Sequence, residues 1–111
     1  MNQFQSQPIN QRIDYRQLRE LVSIEQVLEF INWQPSATKG PQLRGPCPVH
    51  QSTNPHSRSF SVNLEKNAYR CFSCDSQGNQ LDLAAAIFGL DLHAAAIELC
   101  HRLQLNPPST S

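Results

Sequence analysis

Four residues in the middle of the chain have the types and the spacing of metal ligands. Cys47 and His50 lie in the run CPVH, and Cys71 and Cys74 lie in the run CFSC. Two residues separate the members of each pair, so each pair can close a short chelating turn. Three thiolates and one imidazole suit a four-coordinate zinc site, with Zn–S bonds of ~2.3 Å and Zn–N bonds of ~2.0–2.1 Å. Because a filled shell leaves no position for a reacting water, the sequence predicts one structural Zn²⁺ ion.

Two other kinds of site use similar residues, and the sequence argues against both. A zinc deaminase needs a Glu two residues after its His and an open water position, but Gln51 and Ser52 follow His50 here. A redox C-x2-C pair is expected at the start of a helix in a βαβ unit, whereas CFSC ends a predicted strand. The remaining side chains that could bind a metal have no partner at chelating spacing: His56, His93, His101 and Cys100.

Length and composition indicate one domain in a reducing compartment. A chain of 111 residues buries a modest core and often depends on a metal or on disulfides. The N-terminal run MNQFQSQPINQR lacks the apolar centre of a signal peptide, and the sequence contains no apolar run of about 18 residues that would cross a membrane. We therefore expect a cytoplasmic protein, monomeric and without a membrane partner, whose cysteines bind metal rather than form disulfides.

The formal net charge of zero hides a separation of charge along the chain. Residues 39–80 carry five basic and two acidic residues, 5 − 2 = +3, and the rest of the chain carries 4 − 7 = −3. Basic groups can follow phosphates while interleaved aromatic rings stack on bases, although ordinary surface charge would give the same count. Phe60 is expected in the core, whereas either aromatic of YRCF could be core or surface. The predicted nucleic-acid contacts are Arg44, Arg58, Lys66, Tyr69, Arg70 and Phe72.

The segment before the ligand region is predicted to be helical after a disordered start. Residues 1–11 are rich in Gln and Asn and have no periodic apolar pattern, so we expect disorder. Residues 14–32 carry apolar side chains at helical spacing. Ser23 and Gln26 have the spacing of a capping box, which predicts two helices, and Pro35 predicts the end of the second.

A hairpin is predicted to bring the two ligand pairs together. Prolines and glycines just before CPVH favour turns and short edge strands. Residues 60–64 alternate between apolar and polar, and residues 68–72 return as a second strand that leads into CFSC. Two short helices follow at 80–88 and 91–103, and residues 106–111 are expected to be a loose, disordered tail. The pattern therefore predicts an α+β fold.

Five short runs follow one another between the predicted helical segments. They are CPVH, SFSV at 59–62, LEK at 64–66, YRCFSC at 69–74 and QGN at 77–79. In this order they resemble the zinc-binding domain of bacterial DnaG-type primases. The resemblance implies a zinc ribbon on a small antiparallel β-sheet flanked by short N- and C-terminal helices, within residues 12–105. It also implies that one face of the sheet contacts single-stranded template DNA and helps to choose where primers start.

The resemblance also implies what the chain would need from other proteins. The catalytic and helicase-binding domains of that family have no room in 111 residues, so we expect a free-standing module or a piece of a longer protein. Such a module is not an enzyme on its own, and its partners would be single-stranded DNA and a primase, helicase or transposition protein. The loop QSTNPHSR lacks the lysine that the family usually carries there. The alternative is a zinc-ribbon protein-interaction or regulatory module in a transposition or transcription complex.

Overall fold

The structure, a computed structural model, describes residues 12–109. The predicted disorder of residues 1–11 concerns a segment outside the described residues. Four helices and five strands follow one another along the described chain, and their bounds are α1 Tyr15–Leu21, α2 Ile24–Phe30, β1 Ala37–Lys39, β2 Gln42–Gly45, β3 Phe60–Asn63, β4 Ala68–Cys71, β5 Gln77–Asn79, α3 Gln80–Phe88 and α4 Leu92–Leu103. The predicted α+β class is confirmed.

The N-terminal helical segment is divided where the sequence predicted. Ser23 accepts a hydrogen bond from the backbone N–H of Gln26, and the Gln26 side chain accepts one from the N–H of Ser23, which completes a capping box. Helix α2 ends at Phe30 and is followed by Asn32 in a left-handed conformation with φ of 59°. The helix therefore ends before Pro35 can interrupt it.

The five strands form one antiparallel sheet whose spatial order is their order along the chain. The predicted hairpin is formed by β3 and β4, in which Val62 lies opposite Tyr69. Strand β5 was not predicted, because its run QGN is only three residues long and contains a glycine. It pairs with β4 and leads directly into α3, so the sheet and the C-terminal helices are joined without a loop.

Side chains alternate between two faces of this sheet. Leu43, Val62 and Tyr69 are cross-strand neighbours on the face that packs on the helices. The next row places Arg44, Ser61, Arg70 and Gln77 side by side on the other face, where each of them is partly or fully exposed. We call this second surface the open face.

The helices cover the buried face of the sheet. Helix α3 packs on α4 and on α2, and the core draws large side chains from every layer, including Phe60, Leu18, Ile24, Leu83 and Leu99. The facing ends of the last two helices are both capped. Gly89 ends α3 with φ of 69°, and the Asp91 side chain accepts from the N–H of Ala94 at the start of α4.

Among residues 12–109 no single helix is long and apolar enough to cross a bilayer; α3 and α4 reach that length and composition only as a pair bent by 92°. The two ends of the described chain lie side by side. The N–H of Asp14 donates to the carbonyl of Pro108, at 2.8 Å, and Ile13 pairs with Ser109. Residues 106–109, assigned from sequence to a loose tail, therefore contact the start of α1 in this structure.

Candidate metal centre

The sheet brings the two predicted ligand pairs to one end of the domain. Strands β2 and β4 are both antiparallel to β3, so their C-terminal ends lie at the same end of the sheet. One residue, Pro46, separates the end of β2 from Cys47, and Cys71 is the last residue of β4. The register that pairs Gly45 with Phe60, and Phe60 with Cys71, therefore sets the separation of the two pairs.

The four predicted ligands meet in one cluster. The ligand atoms of Cys47, His50, Cys71 and Cys74 all lie within 4.8 Å of one another. The Sγ atoms of Cys47 and Cys74 are 4.0 Å apart, and Cys71 Sγ lies 3.8 Å from His50 Nδ1. Sulfurs bound tetrahedrally at ~2.3 Å from one zinc ion would be ~3.8 Å apart. The donor set and its spacing therefore fit a closed, four-coordinate zinc site.

Backbone N–H groups point at the two buried sulfurs. The N–H of Val49 donates to Cys47 Sγ at 3.3 Å, and the N–H groups of Ser73 and Cys74 donate to Cys71 Sγ at 3.4 Å. Such donors favour the charged thiolate over the neutral thiol. The turns therefore supply part of the electrostatic stabilisation that three thiolates around one ion require.

The two turns share a backbone feature. In each, the residue after the second ligand has a left-handed conformation: Gln51 follows His50 with φ of 54°, and Asp75 follows Cys74 with φ of 63°. Each turn is closed by a backbone hydrogen bond to the carbonyl of its first ligand, from Ser52 to Cys47 at 3.0 Å and from Asp75 to Cys71 at 2.8 Å. The left-handed residue turns the chain back so that both ligands of a pair face the same point.

The pKa values of the two anchoring thiols shift in opposite net directions. Burial raises the pKa of the Cys47 thiol to about 12. Burial also raises the pKa of the Cys71 thiol, but hydrogen bonds from the N–H groups of Cys74 and Ser73 outweigh it and hold the pKa below its ordinary value. A coordinating metal deprotonates its thiol ligands outright. The charge of zinc is therefore what makes the buried Cys47 thiolate favourable.

The first turn is supported from outside by Trp33. The indole Nε1 donates to the carbonyl of Pro46 at 2.6 Å, and the ring packs edge-on against Phe60 with centroids 5.4 Å apart. Gly45 allows this approach, because a Cβ there would lie 2.6 Å from the Trp33 ring. No role was predicted for Trp33 from the sequence. The signal that could have indicated it is the glycine–proline run beside Cys47, because a glycine lets a large ring approach the backbone there.

Three of the predicted nucleic-acid residues form a cluster on the open face beside the metal centre. Phe72 is 56% exposed, and its ring lies beneath the guanidinium carbons of Arg44 and Arg70, at 5.3 Å and 5.0 Å from the ring centroid. Arg44 also donates through Nε and Nη2 to the backbone carbonyl of Arg58, at 3.0 Å and 2.5 Å. Arg70 lies 3.7 Å from the carboxylate of Asp75, an exposed pair that contributes little to stability.

Arg58 adjoins this cluster through its backbone carbonyl, whereas the structure separates Lys66 and Tyr69 from it. Lys66 lies in the turn between β3 and β4, at the end of the sheet away from the metal ligands. The Tyr69 side chain is only 5% exposed and packs at 5.6 Å from Phe60, with its hydroxyl 2.7 Å from Ser76 Oγ. Burial raises the pKa of this phenol. The prediction that Tyr69 stacks on a base is therefore wrong for this conformation, because its ring belongs to the core.

Known proteins share this sequence pattern and this fold. The sequence profile of the CHC2 zinc finger family matches residues 10–111. The DNA primase of Halalkalibacterium halodurans is 31% identical over 101 residues, which cover 90% of this chain and 16% of that protein. The DNA primase of Helicobacter pylori strain 26695 is 30% identical over 90 residues, which cover 81% of this chain and 15% of that protein.

A solved structure matches as well. It is the crystal structure of the Aquifex aeolicus primase, which comprises zinc binding and RNA polymerase domains, and it aligns with a TM-score of 0.66 at 24% identity. The alignment covers 89% of this chain and 22% of that one, which shows a shared fold. The chain thus spans only a small part of the length of the primases it matches. It belongs to the CHC2 zinc finger family of DnaG-type primases, and its Cys-His-Cys-Cys cluster is a structural zinc site.

Proposed function

We propose that this chain binds single-stranded template DNA on the open face of its sheet and serves as an accessory module in primer synthesis. One observation carries this proposal: an exposed phenylalanine, Phe72, has the guanidinium groups of both Arg44 and Arg70 over its ring next to the zinc site. An aromatic ring flanked by cations is the arrangement by which proteins hold single strands, because every base can stack and every phosphate is anionic.

The zinc site would hold this surface in place without taking part in chemistry. Cys71 directly precedes Phe72, and the metal joins Cys71 to the turn that follows Arg44 and β2. The ion therefore fixes the distance between the strands that carry the two arginines. Polar neighbours extend the surface across the sheet, where Gln42 donates to Ser61 Oγ at 2.6 Å.

The experiment is a titration of a short labelled single-stranded oligonucleotide with zinc-loaded protein at several salt concentrations. Each neutralised phosphate of a single strand contributes about −0.7 to the slope of log K against log salt. The double variant Arg44→Gln with Arg70→Gln should weaken binding and make the slope less negative by about 1.4. Arg12→Gln removes an exposed charge outside this cluster and is the control. Unchanged affinity in a folded double variant would show that this face is not the DNA site.

We also propose that the chain makes no primer by itself, since the relatives it matches are several times longer. Pure protein incubated with template, ribonucleotides and Mg²⁺ or Mn²⁺ should give no oligonucleotide. Adding the separate catalytic domain of a primase should restore synthesis if the two act together. Template-dependent product from the chain alone, abolished by a substitution in it, would contradict the proposal. A template-binding role would place the chain in the bacterial cytoplasm.

A second candidate function, a protein-interaction module of a transposition or transcription complex, is favoured by one observation. Three large apolar side chains near the last two helices are exposed to solvent. Leu90 lies between the helices and is 42% exposed, and Leu92 and Ile97 lie on α4 and are 40% and 37% exposed. Exposed apolar side chains of this size can take part in protein contacts. If the Leu92→Ser variant bound DNA normally but failed to support a primase catalytic domain, this helical surface would serve a protein partner in addition to the DNA.

A further inference from the structure

A basic cleft lies at the end of the sheet away from the metal centre. It has a volume of about 270 Å³ and opens between α1, the turn joining β3 to β4, and the start of α3. Arg16 and Arg19 line it from α1, and Lys66 lines it from the turn. Glu20 is the single acidic residue of the lining, so the formal charge of the cleft is 3 − 1 = +2. Three cations from two separate elements therefore converge on one concave site.

The cationic groups of this cleft are not neutralised by neighbouring carboxylates. The ion pairs within residues 12–109 are Arg70 with Asp75 and Arg102 with Glu98, so none of the three cleft cations has a carboxylate oxygen within 4.0 Å among those residues. The one acidic residue of the lining, Glu20, offsets only one of the three positive charges, and the remaining like charges repel one another. A bound anion would relieve that repulsion.

Two amide side chains complete the lining. Asn67 uses its Oδ1 to accept from the backbone N–H of Ile24 at 2.8 Å, which leaves its NH₂ group as a donor. Gln80 is 1% exposed and donates through Nε2 to the carbonyls of Arg19 and Val22, both at 3.0 Å. Its Oε1 has no hydrogen-bond partner in the described part of the chain, but that atom is fully buried and does not open into the cleft.

We propose that this cleft binds the phosphate group of a nucleotide or of a nucleic-acid strand. Two guanidinium groups offer forked pairs of donors that match phosphate oxygens, and an ammonium adds a point charge. The cavity is smaller than the roughly 300–1,000 Å³ of sites that enclose drug-sized ligands, so it suits a phosphate and the adjoining sugar.

The cleft does not depend on the DNA-binding role proposed above. Its cations share no residue with the Arg44, Phe72 and Arg70 cluster, which lies at the metal end of the sheet. A phosphate site here would persist if the open face bound no DNA, and the open face could bind DNA with this cleft empty. The two proposals can therefore fail separately.

The test uses ¹⁵N-labelled, zinc-loaded full chain titrated with sodium phosphate and with pyrophosphate, at ionic strength held constant with sodium chloride. We expect saturable chemical-shift changes in the backbone amides of Asn67 and Gln80. The double variant Arg19→Gln with Lys66→Gln should weaken binding about tenfold or more, because it removes two cations that donate hydrogen bonds to the phosphate. Lys39→Gln, an exposed cation on the far edge strand, should leave binding unchanged.

Further arms identify the source of the phosphate. If a strand occupies the cleft, the double variant should bind a single-stranded oligonucleotide more weakly, with a slope less negative by about 0.7 for each phosphate lost. If a free nucleotide occupies it, a nucleoside triphosphate should bind more tightly than phosphate, and the oligonucleotide affinity should not change. Shifts that never saturate, that acetate reproduces equally well, or that persist in the double variant would overturn the proposal.

Discussion

The buried and the open face of the sheet consist of alternate residues of the same strands, and they perform different tasks. On the buried face Phe60, Val62 and Tyr69 pack against the helices. On the open face Arg44 and Arg70 flank an exposed ring. Tyr69 and Phe72 are three residues apart, so they lie on opposite faces, and two aromatics of one short run acquire opposite roles.

The metal centre is where the two faces are connected. Cys71 points into the core and carries a zinc ligand atom, while its neighbour Phe72 points outward. Loss of the metal should therefore affect both faces, whereas a substitution on one face should affect that face alone. This difference can be tested by substitutions in order of decreasing effect.

The largest effect is expected from removing an exposed metal ligand. Cys74 is an exposed thiol in the cluster and Cys100 is a buried thiol outside it. A structural zinc contributes ~10 kcal/mol or more to folding, comparable with the whole stability of a small domain. Cys74→Ala should therefore lower bound zinc below one per chain and abolish cooperative unfolding of the sheet, as measured by metal analysis and circular dichroism.

The control is Cys100→Ser, which places a hydroxyl in the core at a cost of about 1–3 kcal/mol and keeps one zinc per chain. The comparison is informative because burial alone would predict the reverse order of damage. Stoichiometric zinc and normal melting in Cys74→Ala would remove Cys74 from the ligand set.

The second effect separates the two aromatic residues. Tyr69→Ala should lower the free energy of unfolding by about 3–5 kcal/mol, as for other large aromatic core residues. Phe72→Ala should change it by no more than about 0.5 kcal/mol but weaken oligonucleotide binding by about 1–3 kcal/mol. Denaturant melts and DNA titrations on both variants measure these three effects.

Tyr69→Phe removes only the hydroxyl that contacts Ser76 and should cost about 0.5–1.5 kcal/mol, which serves as the conservative control. The assignment of the two faces would fail if Tyr69→Phe weakened DNA binding at unchanged stability, or if Phe72→Ala unfolded the domain.

Local patterns predicted much of this fold. The spacing of the ligands, the alternation in β3 and the capping box at Ser23 each act over a few residues, so they can be read without knowledge of the tertiary structure. The ligand cluster could be predicted from the same information, because a hairpin that must bring two chelating pairs to one zinc ion allows few other arrangements of the strands. The family and the structural zinc were predicted in this way and are confirmed.

Other features depend on contacts between distant segments. Whether Tyr69 or Phe72 faces the core depends on the register that places Tyr69 opposite Val62, and that register is set by the length of the turn. The packing of the whole domain brings Lys66 and α1 to the same cleft, and no local sequence pattern indicates that they lie close together. Strand β5 is three residues long and includes a glycine, so its sequence resembled a turn.

The smallest effect is expected at Gln51, which belongs to neither face. Its side chain is exposed and its backbone is left-handed, so substitutions there change little except the backbone preference. Gln51→Gly removes the roughly 1–2 kcal/mol by which a left-handed conformation disfavours a residue with a side chain. Glycine also gives the unfolded chain more freedom, which costs about 0.5–1 kcal/mol. The free energy of unfolding should therefore rise by a few tenths to ~1 kcal/mol. Gln51→Val should destabilise, because a branched Cβ disfavours this conformation. Denaturant unfolding of the zinc-loaded variants measures both, and equal stabilities for Gly and Val would show that the left-handed turn does not limit the site.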